Sequence, residues 1–131
     1  NNRTHMIRVP DKGRFELRLM DGAVNPYLLQ AGVIAAGLHG MNNKIDPGEP
    51  LSCNMYTDHK NYPNLKKLPD TIEDALEQLE NSREIKDALG EDTIKSYLKL
   101  KRSEIENFYQ EEKFNKKNPV TKWEKNSTLD C

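Results

Sequence analysis

Cysteine is nearly absent: the 131 residues hold two, Cys53 and Cys131, 78 positions apart. That spacing excludes a disulfide framework and a paired-cysteine zinc knuckle, so no covalent or zinc staple is expected to support the fold. Aromatic residues make up 7% and apolar residues 35% of the chain, and mean hydropathy is -0.89. A chain this polar buries only a modest core by itself and is expected to pack against a further protein surface. No run approaches the roughly 18 uncharged apolar residues of a membrane span, and Asn1-Asn2-Arg3-Thr4-His5 lacks the apolar centre of a secretion signal. A cytoplasmic protein without a membrane partner is expected. An excess of one charge sign is missing too: 20 basic side chains face 21 acidic ones, for a net charge of -1. This argues against a dedicated nucleic-acid binder. The length allows one domain at most, and a start at Asn1 without an initiator Met reads as the end of a longer polypeptide.

Positive charge is present locally. Within residues 1–20, Arg3, Arg8, Lys12, Arg14 and Arg18 outnumber Asp11 and Glu16. Met6–Val9 and Phe15–Leu19 are β-favouring runs joined by Pro10-Asp11-Lys12-Gly13, which carries the Pro, Asp and Gly that tight reversals require. The spacing predicts a β-hairpin over residues 1–22. Side chains alternate along a strand, so Phe15, Leu17 and Leu19 share one face, while Arg14, Glu16 and Arg18 share the other.

Asn25-Pro26 then opens a helix expected over residues 25–40, with Asn as N-cap, Pro in the first turn and Gly40 as its end. Nearly every position in it is apolar or small, which predicts a core helix of a larger body, covered by protein on most sides. Residues 42–70, with Asp46-Pro47-Gly48-Glu49-Pro50 and Leu68-Pro69-Asp70, lack periodicity and read as a long ordered loop pinned by Leu51, Met55, Tyr56, Tyr62 and Leu65. Helices are predicted over residues 71–117. The first carries Ile72, Ala75, Leu76 and Leu79 at helical spacing, and a short second one runs from Ser82 to a Gly90 stop. A third, from Asp92 to Lys116, places Ile94, Tyr97, Leu98, Lys101, Ile105 and Phe108 on one stripe. Residues 118–131 form a tail with Trp123 as its one large anchor.

The charged strand face is where chemistry concentrates. Residues two apart on a strand stand roughly 6.5–7 Å apart, so Glu16 lies between Arg14 and Arg18, and Arg8 on the adjoining strand reaches the same space. One reading is a solvated sheet face whose opposite charges stabilise each other weakly. The other is an anion and metal site, because Arg presents a planar fork matched to phosphate or carboxylate oxygens and a carboxylate among such groups ligates Mg²⁺ that phosphates also bind. Spacing alone leaves both open.

A long pattern bears on the choice. Asn2-Arg3 through Arg8-Val9-Pro10 is followed by Arg14-Phe15-Glu16-Leu17-Arg18, Asp21-Gly22-Ala23, Asn25-Pro26-Tyr27 and Asn43-Lys44-Ile45-Asp46-Pro47-Gly48-Glu49. It resembles the C-terminal part of the catalytic domain of bacterial type I-like glutamine synthetases, clearly over residues 2–109. The closing Ser127–Cys131 resembles the ending of the type III or γ-glutamylmethylamide synthetase branch. The resemblance implies an α+β fold, in which the N-terminal β-hairpin belongs to a catalytic barrel and is followed by a mainly helical C-terminal region.

It also implies an enzyme that uses ATP to make a γ-glutamyl phosphate from L-glutamate, which ammonia then converts to glutamine. By matching positions, Arg3 would contact both ATP phosphates and glutamate, Arg8 and Arg14 the phosphates, and Arg18 the glutamate. Glu16 would ligate the second Mg²⁺ or Mn²⁺. Lys12 is a candidate for an ATP-contacting lysine of the family, though the loop between Arg8 and Arg14 is shorter here than in enteric enzymes. The family's other metal carboxylates, metal-binding His, Gly-rich glutamate loop and flap acid have no counterpart in this segment, so the segment alone is expected to be inactive and to require the N-terminal part of the same enzyme. A ring-shaped homo-oligomer is implied likewise. Methylamine in place of ammonia is one alternative, and a non-catalytic helical interaction module is another.

Remaining residues carry weaker signals. Tyr56 matches a position adenylylated in some enteric family members, but it reads more simply as a packing anchor. His5 and His39 lack a second ligand at metal spacing and read as structural, His59 reads as solvent-exposed, and Cys131 has no nearby base. Trp123 and Phe114 are expected to dock the tail on a neighbouring subunit or on the upstream portion.

Overall fold

The computed structural model describes residues 4–20, 22–112 and 120–128. The fold is mostly helical with one two-stranded antiparallel hairpin. Strands β1 (Ile7–Asp11) and β2 (Arg14–Leu17) precede helix α1 (Pro26–Asn42), the single turn α2 (Met55–Asp58) and a 3₁₀ turn over His59–Asn61. Helices α3 (Ile72–Asn81), α4 (Arg83–Leu89), α5 (Glu91–Glu111) and α6 (Lys122–Thr128) complete the chain. No helix among the described residues is long and apolar enough to cross a membrane. Two compact units emerge, one from the described residues of 1–24 and 45–68, the other from those of 25–44 and 69–131.

In the first unit a bulge sets the hairpin. Asp11 pairs with Arg14 across a two-residue turn in which Gly13 takes φ +79°, a left-handed value that favours glycine. Continued regularly, that register would place Arg8 opposite Leu17. The ladder instead slips by one residue between Arg8 and Asp11, so that Arg8 faces Glu16 and Ile7 faces Leu17. Pro10 sits inside this interval, within β1 rather than in the turn as the sequence pattern suggested. It has no N–H to give to a ladder, and bulges are among the few places a sheet tolerates it. The slip sorts the faces: Ile7, Phe15 and Leu17 stand on one side, the charged residues on the other. Ile7, Val9 and Phe15 are exposed in this chain.

Residues 45–68 hold less regular structure. The Asn54 side chain accepts from the Tyr56 N–H at 3.1 Å and so caps α2, and the Asn54 N–H donates to Asp58. The half-buried Cys53 donates its thiol to the Met55 sulfur at 3.6 Å. Leu51 and Met55 are partly covered, but Tyr56 is 60% exposed and anchors nothing here. Local polar caps, rather than the expected row of apolar pins, order this stretch.

The second unit begins as the sequence pattern predicts: the Asn25 side chain accepts from the N–H groups of Tyr27 and Leu28 at 3.0 and 3.1 Å, with Pro26 in the first turn. Its other end differs. Gly40 lies within α1, which runs to Asn42. Asn43 then closes the helix by donating its N–H and its amide to the His39 carbonyl, and Lys44 takes the left-handed turn at φ 51°. None of the residues of α1 is buried; the helix packs on α4 and leaves Tyr27, Ile34 and Met41 largely exposed. The larger body whose core this helix was expected to join is not part of this chain, and the chain's own core lies elsewhere. That core is Leu76, Ile94 and Leu98, with Leu79, Ile85, Leu89, Tyr97 and Ile105 around it.

Thr71 caps α3 by accepting from the Asp74 N–H, and Ser82 caps α4 by accepting from the Ile85 N–H. Gly90, at φ +90°, ends α4 and starts α5 without a connecting loop. The expected stripe of α5 does face inward. The helix ends at Glu111, and Lys116, to which the pattern extended it, lies outside the described residues. Beyond it, Thr121 and Glu124 exchange hydrogen bonds in a capping box for α6. Trp123 stacks edge-on against Phe108 at 5.6 Å, and its backbone N–H donates to Glu112. Within this chain Trp123 packs on α5; Phe114 lies outside the described residues.

Replacing Gly40 by Ala should raise the melting temperature, with a gain of about 0.5–1 kcal/mol, since Ala suits a helix interior and an added Cβ meets nothing within 4 Å. Gly90→Ala should lower it, with a loss of about 1–2 kcal/mol from the left-handed backbone. Thermal unfolding followed by circular dichroism checks both signs. A loss at Gly40 would restore that residue as the helix terminator.

Candidate functional site

The bulged register brings three guanidiniums onto one carboxylate. Glu16 Oε1 accepts from Arg8 Nη1 at 3.0 Å and from Arg14 Nη2 at 2.9 Å; Oε2 accepts from Arg8 Nη1 at 3.1 Å and from Arg18 Nη2 at 3.1 Å. Arg8 reaches across from β1, Arg14 stands two residues before Glu16, and Arg18 lies just past the end of β2. The Arg18 backbone N–H donates to the Met6 carbonyl at 2.8 Å and continues the ladder. Side-chain exposure is 30% for Glu16 and 28% for Arg18, against 47% for Arg8 and 62% for Arg14. Two of the guanidiniums therefore stand well out in solvent, and two groups are half covered.

Three positive charges around one negative leave the cluster a net positive site, suited to an anion with more than one negative charge. Hydrogen bonds from Arg14, then Arg8 and Arg18, hold the Glu16 carboxyl at about 2, down from an ordinary 4.5. A carboxylate oxygen is a fitting donor for Mg²⁺ or Mn²⁺. Among the described residues, however, no three His, Cys, Asp or Glu side chains converge. Glu16 is the one carboxylate of the cluster.

Four of the five residues singled out from the sequence thus meet at one point, and the fifth, Arg3, lies outside the described residues. Lys12 is exposed in the hairpin turn. His39 serves the end of α1 through Asn43, as a structural histidine does, and His59 is exposed. Cys131 lies outside the described residues. The sequence pattern did not disclose a shallow groove along α5 bordered by Glu80, Lys95, Lys99, Arg102 and Glu106. Within it Arg102 pairs with Glu80, and Lys95 pairs with Glu91 outside it.

The sign of the Glu16 shift makes a measurable claim. A depressed carboxyl contributes to the folded state fully above its ordinary 4.5, and that contribution is lost as pH falls through about 2. Titration of the Glu16 side-chain carbon by NMR in metal-free buffer should show a midpoint near 2. A midpoint near 4.5 would mean that the guanidiniums do not hold it.

Comparison with known proteins gives the arrangement its context. The family model described as "Glutamine synthetase, catalytic domain" matches residues 1–124. A glutamine synthetase of Rhizobium meliloti (strain 1021) is 48% identical over 130 residues, covering 99% of this chain and 28% of that protein. A glutamate–methylamine ligase of Methyloversatilis universalis is 39% identical over 133 residues, again covering 99% of this chain and 28% of the relative. Among solved structures, a GmaS/ADP complex superposes with a TM-score of 0.77 at 41% identity, over 100% of this chain and 28% of that one. The chain spans little more than a quarter of the length of these relatives. With the hairpin, its helices and nearly its whole length matched, the chain belongs to the glutamine synthetase catalytic-domain family.

Proposed function

We propose that this chain forms the C-terminal part of a catalytic domain that joins ammonia to L-glutamate at the expense of ATP, through a γ-glutamyl phosphate. One observation carries the reading: a carboxylate with three guanidiniums within 3.1 Å on a single hairpin face. Phosphoryl transfer spreads negative charge over several oxygens, and fixed cationic groups stabilise that charge without reorganising. Arg8 and Arg14 take the phosphate oxygens, and Arg18, the least exposed of the three, holds the glutamate carboxylate. Arg3 contacts both. Glu16 contributes an oxygen to a Mg²⁺ or Mn²⁺ ion, which when bound neutralises charge on the phosphates.

In this reading residues 1–22 are the active-site hairpin, and they complete a catalytic barrel with the remainder of the polypeptide. The same remainder covers α1, whose apolar surface runs around the helix and is unburied here. A ring-shaped homo-oligomer in the cytoplasm is the setting the family suggests. The resemblance to a glutamate–methylamine ligase over 99% of the chain supports methylamine as an alternative acceptor. A purely helical interaction module would leave the guanidinium cluster without a role.

In the intact enzyme, Glu16→Gln should lower turnover by orders of magnitude and weaken the dependence on Mn²⁺ or Mg²⁺, because the lost oxygen is the one assigned to the metal. Unaltered metal dependence would refute the assignment. Arg18→Lys keeps the charge but loses the fork, and should chiefly raise KM for glutamate; an unchanged KM counts against its role. Initial rates with ammonia and methylamine side by side decide the acceptor.

A further inference from the structure

Residues 53–62 bring together side chains that neither the charged hairpin face nor the helical core uses. The Cys53 thiol donates to the Met55 thioether, with the two sulfurs 3.6 Å apart and both residues half covered. Asn54 between them caps α2 and so fixes the turn that carries both. His59 stands four residues after Met55, and the backbone is helical up to His59 itself. That places the two Cβ atoms roughly 5–6 Å apart on one face. The His59 ring is exposed and has no partner among the described residues. On the other side, the Tyr62 hydroxyl hydrogen-bonds the Cys53 sulfur, and this contact holds the phenol above its ordinary range, as an O–H that donates to sulfur should be held.

Thiolate, thioether and imidazole together are the donors of a soft cation; a thioether in the set disfavours Mg²⁺, Ca²⁺ and Mn²⁺, which take oxygen, and favours Cu(I). The geometry agrees. With metal–sulfur bonds of about 2.3 Å, two sulfurs 3.6 Å apart subtend about 100° at the ion, an angle suited to three or four ligands and not to a linear pair. The thiol already directs its proton into the gap that the ion would fill. We propose that Cys53, Met55 and His59 form a Cu(I) site, with the two sulfurs set before the ion arrives and the exposed imidazole closing on it as third ligand. Binding exchanges the ion for the thiol proton: the S–H bond breaks, a sulfur–copper bond forms and the proton passes to solvent, with no change of oxidation state. The filled site carries no net charge, since one thiolate balances one Cu(I). Tyr62 stays on the sulfur and orients it from outside the ligand set. The site is independent of what the hairpin binds.

The probe is Cu(I) itself, presented without oxygen to the intact polypeptide as its coloured bicinchoninate complex, whose absorbance falls as protein withdraws the ion. The parent should withdraw one equivalent more than Cys53→Ser, and differences between variants cancel copper held by other thiols. Met55→Leu and, separately, His59→Asn should each weaken that equivalent about tenfold or more. X-ray absorption at the copper edge of the parent should show two sulfurs at about 2.3 Å and one nitrogen at about 2.0 Å, with one sulfur fewer in Met55→Leu. Copper-free turnover of all three variants should match the parent, which verifies their fold. A Cys53→Ser protein that withdraws as much Cu(I) as the parent overturns the site outright. If Cys53→Ser loses the equivalent while Met55→Leu or His59→Asn holds Cu(I) as tightly as the parent, copper is captured by an isolated thiol or an incomplete set, and the three-donor site is overturned as well.

Discussion

A one-residue slip in a two-stranded ladder decides what this chain can do. Side chains alternate across a strand, so pairing parity determines which residues of β1 share a face with Glu16. The turn at Lys12-Gly13 starts the hairpin with the parity that would send Arg8 to the apolar face, opposite Leu17. The bulge that accommodates Pro10 reverses it. Arg8 then lies directly opposite Glu16, close enough to engage both carboxylate oxygens. The same slip puts Ile7 opposite Leu17, so apolar sorting and the charged cluster favour one register together. Pro10 lies in the interval where the parity changes.

The element that bears the site is the least self-sufficient part of the molecule. Two strands alone are marginal in water, and the apolar side of this hairpin is open, with Val9 70% and Phe15 63% exposed. The helical unit has its own small core around Leu76, Ile94 and Leu98, capped helices and a tail fastened through Trp123 and Phe108. No residue of its first helix is fully buried. Both the hairpin and α1 carry far more apolar surface than this chain covers, as expected of a segment a little over a quarter the length of its relatives. The composition pointed the same way: a polar chain with concentrated apolar stretches fits a segment that completes its core against other protein.

Legibility in the sequence followed the range of the interaction. Caps are local, and Asn25, Thr71 and Ser82 each accept from the N–H groups that their positions predict. Helical stripes are periodic, and Ile94, Leu98 and Ile105 turned inward as their spacing requires. Ends were harder. Gly40 looks like a terminator, but glycine at an ordinary helical angle does not stop a helix when Asn43 can close it and Lys44 can take the left-handed turn. Pro10 was assigned to the turn because a bulge depends on both strands and leaves no mark on either alone. The contact of Trp123 with Phe108, 15 residues earlier, lies across a change of chain direction that no local pattern records. In the site, spacing gave the shared face of Arg14, Glu16 and Arg18, and parity supplied Arg8.

Arginine rather than lysine at positions 8, 14 and 18 determines how the carboxylate is held. A lysine ammonium is a point charge, strongly hydrated, and can shield Glu16 without directing it. A guanidinium fork donates along fixed directions, so Arg8 can span both oxygens while Arg14 and Arg18 each take one, and the carboxylate is held in one orientation by bonds from three sides. A guanidinium fork matches phosphate as well as carboxylate oxygens. Glu16 gives the guanidiniums an internal partner of that kind. It prevents three like charges from spreading apart on a solvated strand face and keeps them directed toward one point. The carboxylate therefore works on the arrangement before any metal is considered: it preorganises the arginines, and they in turn keep it ionised.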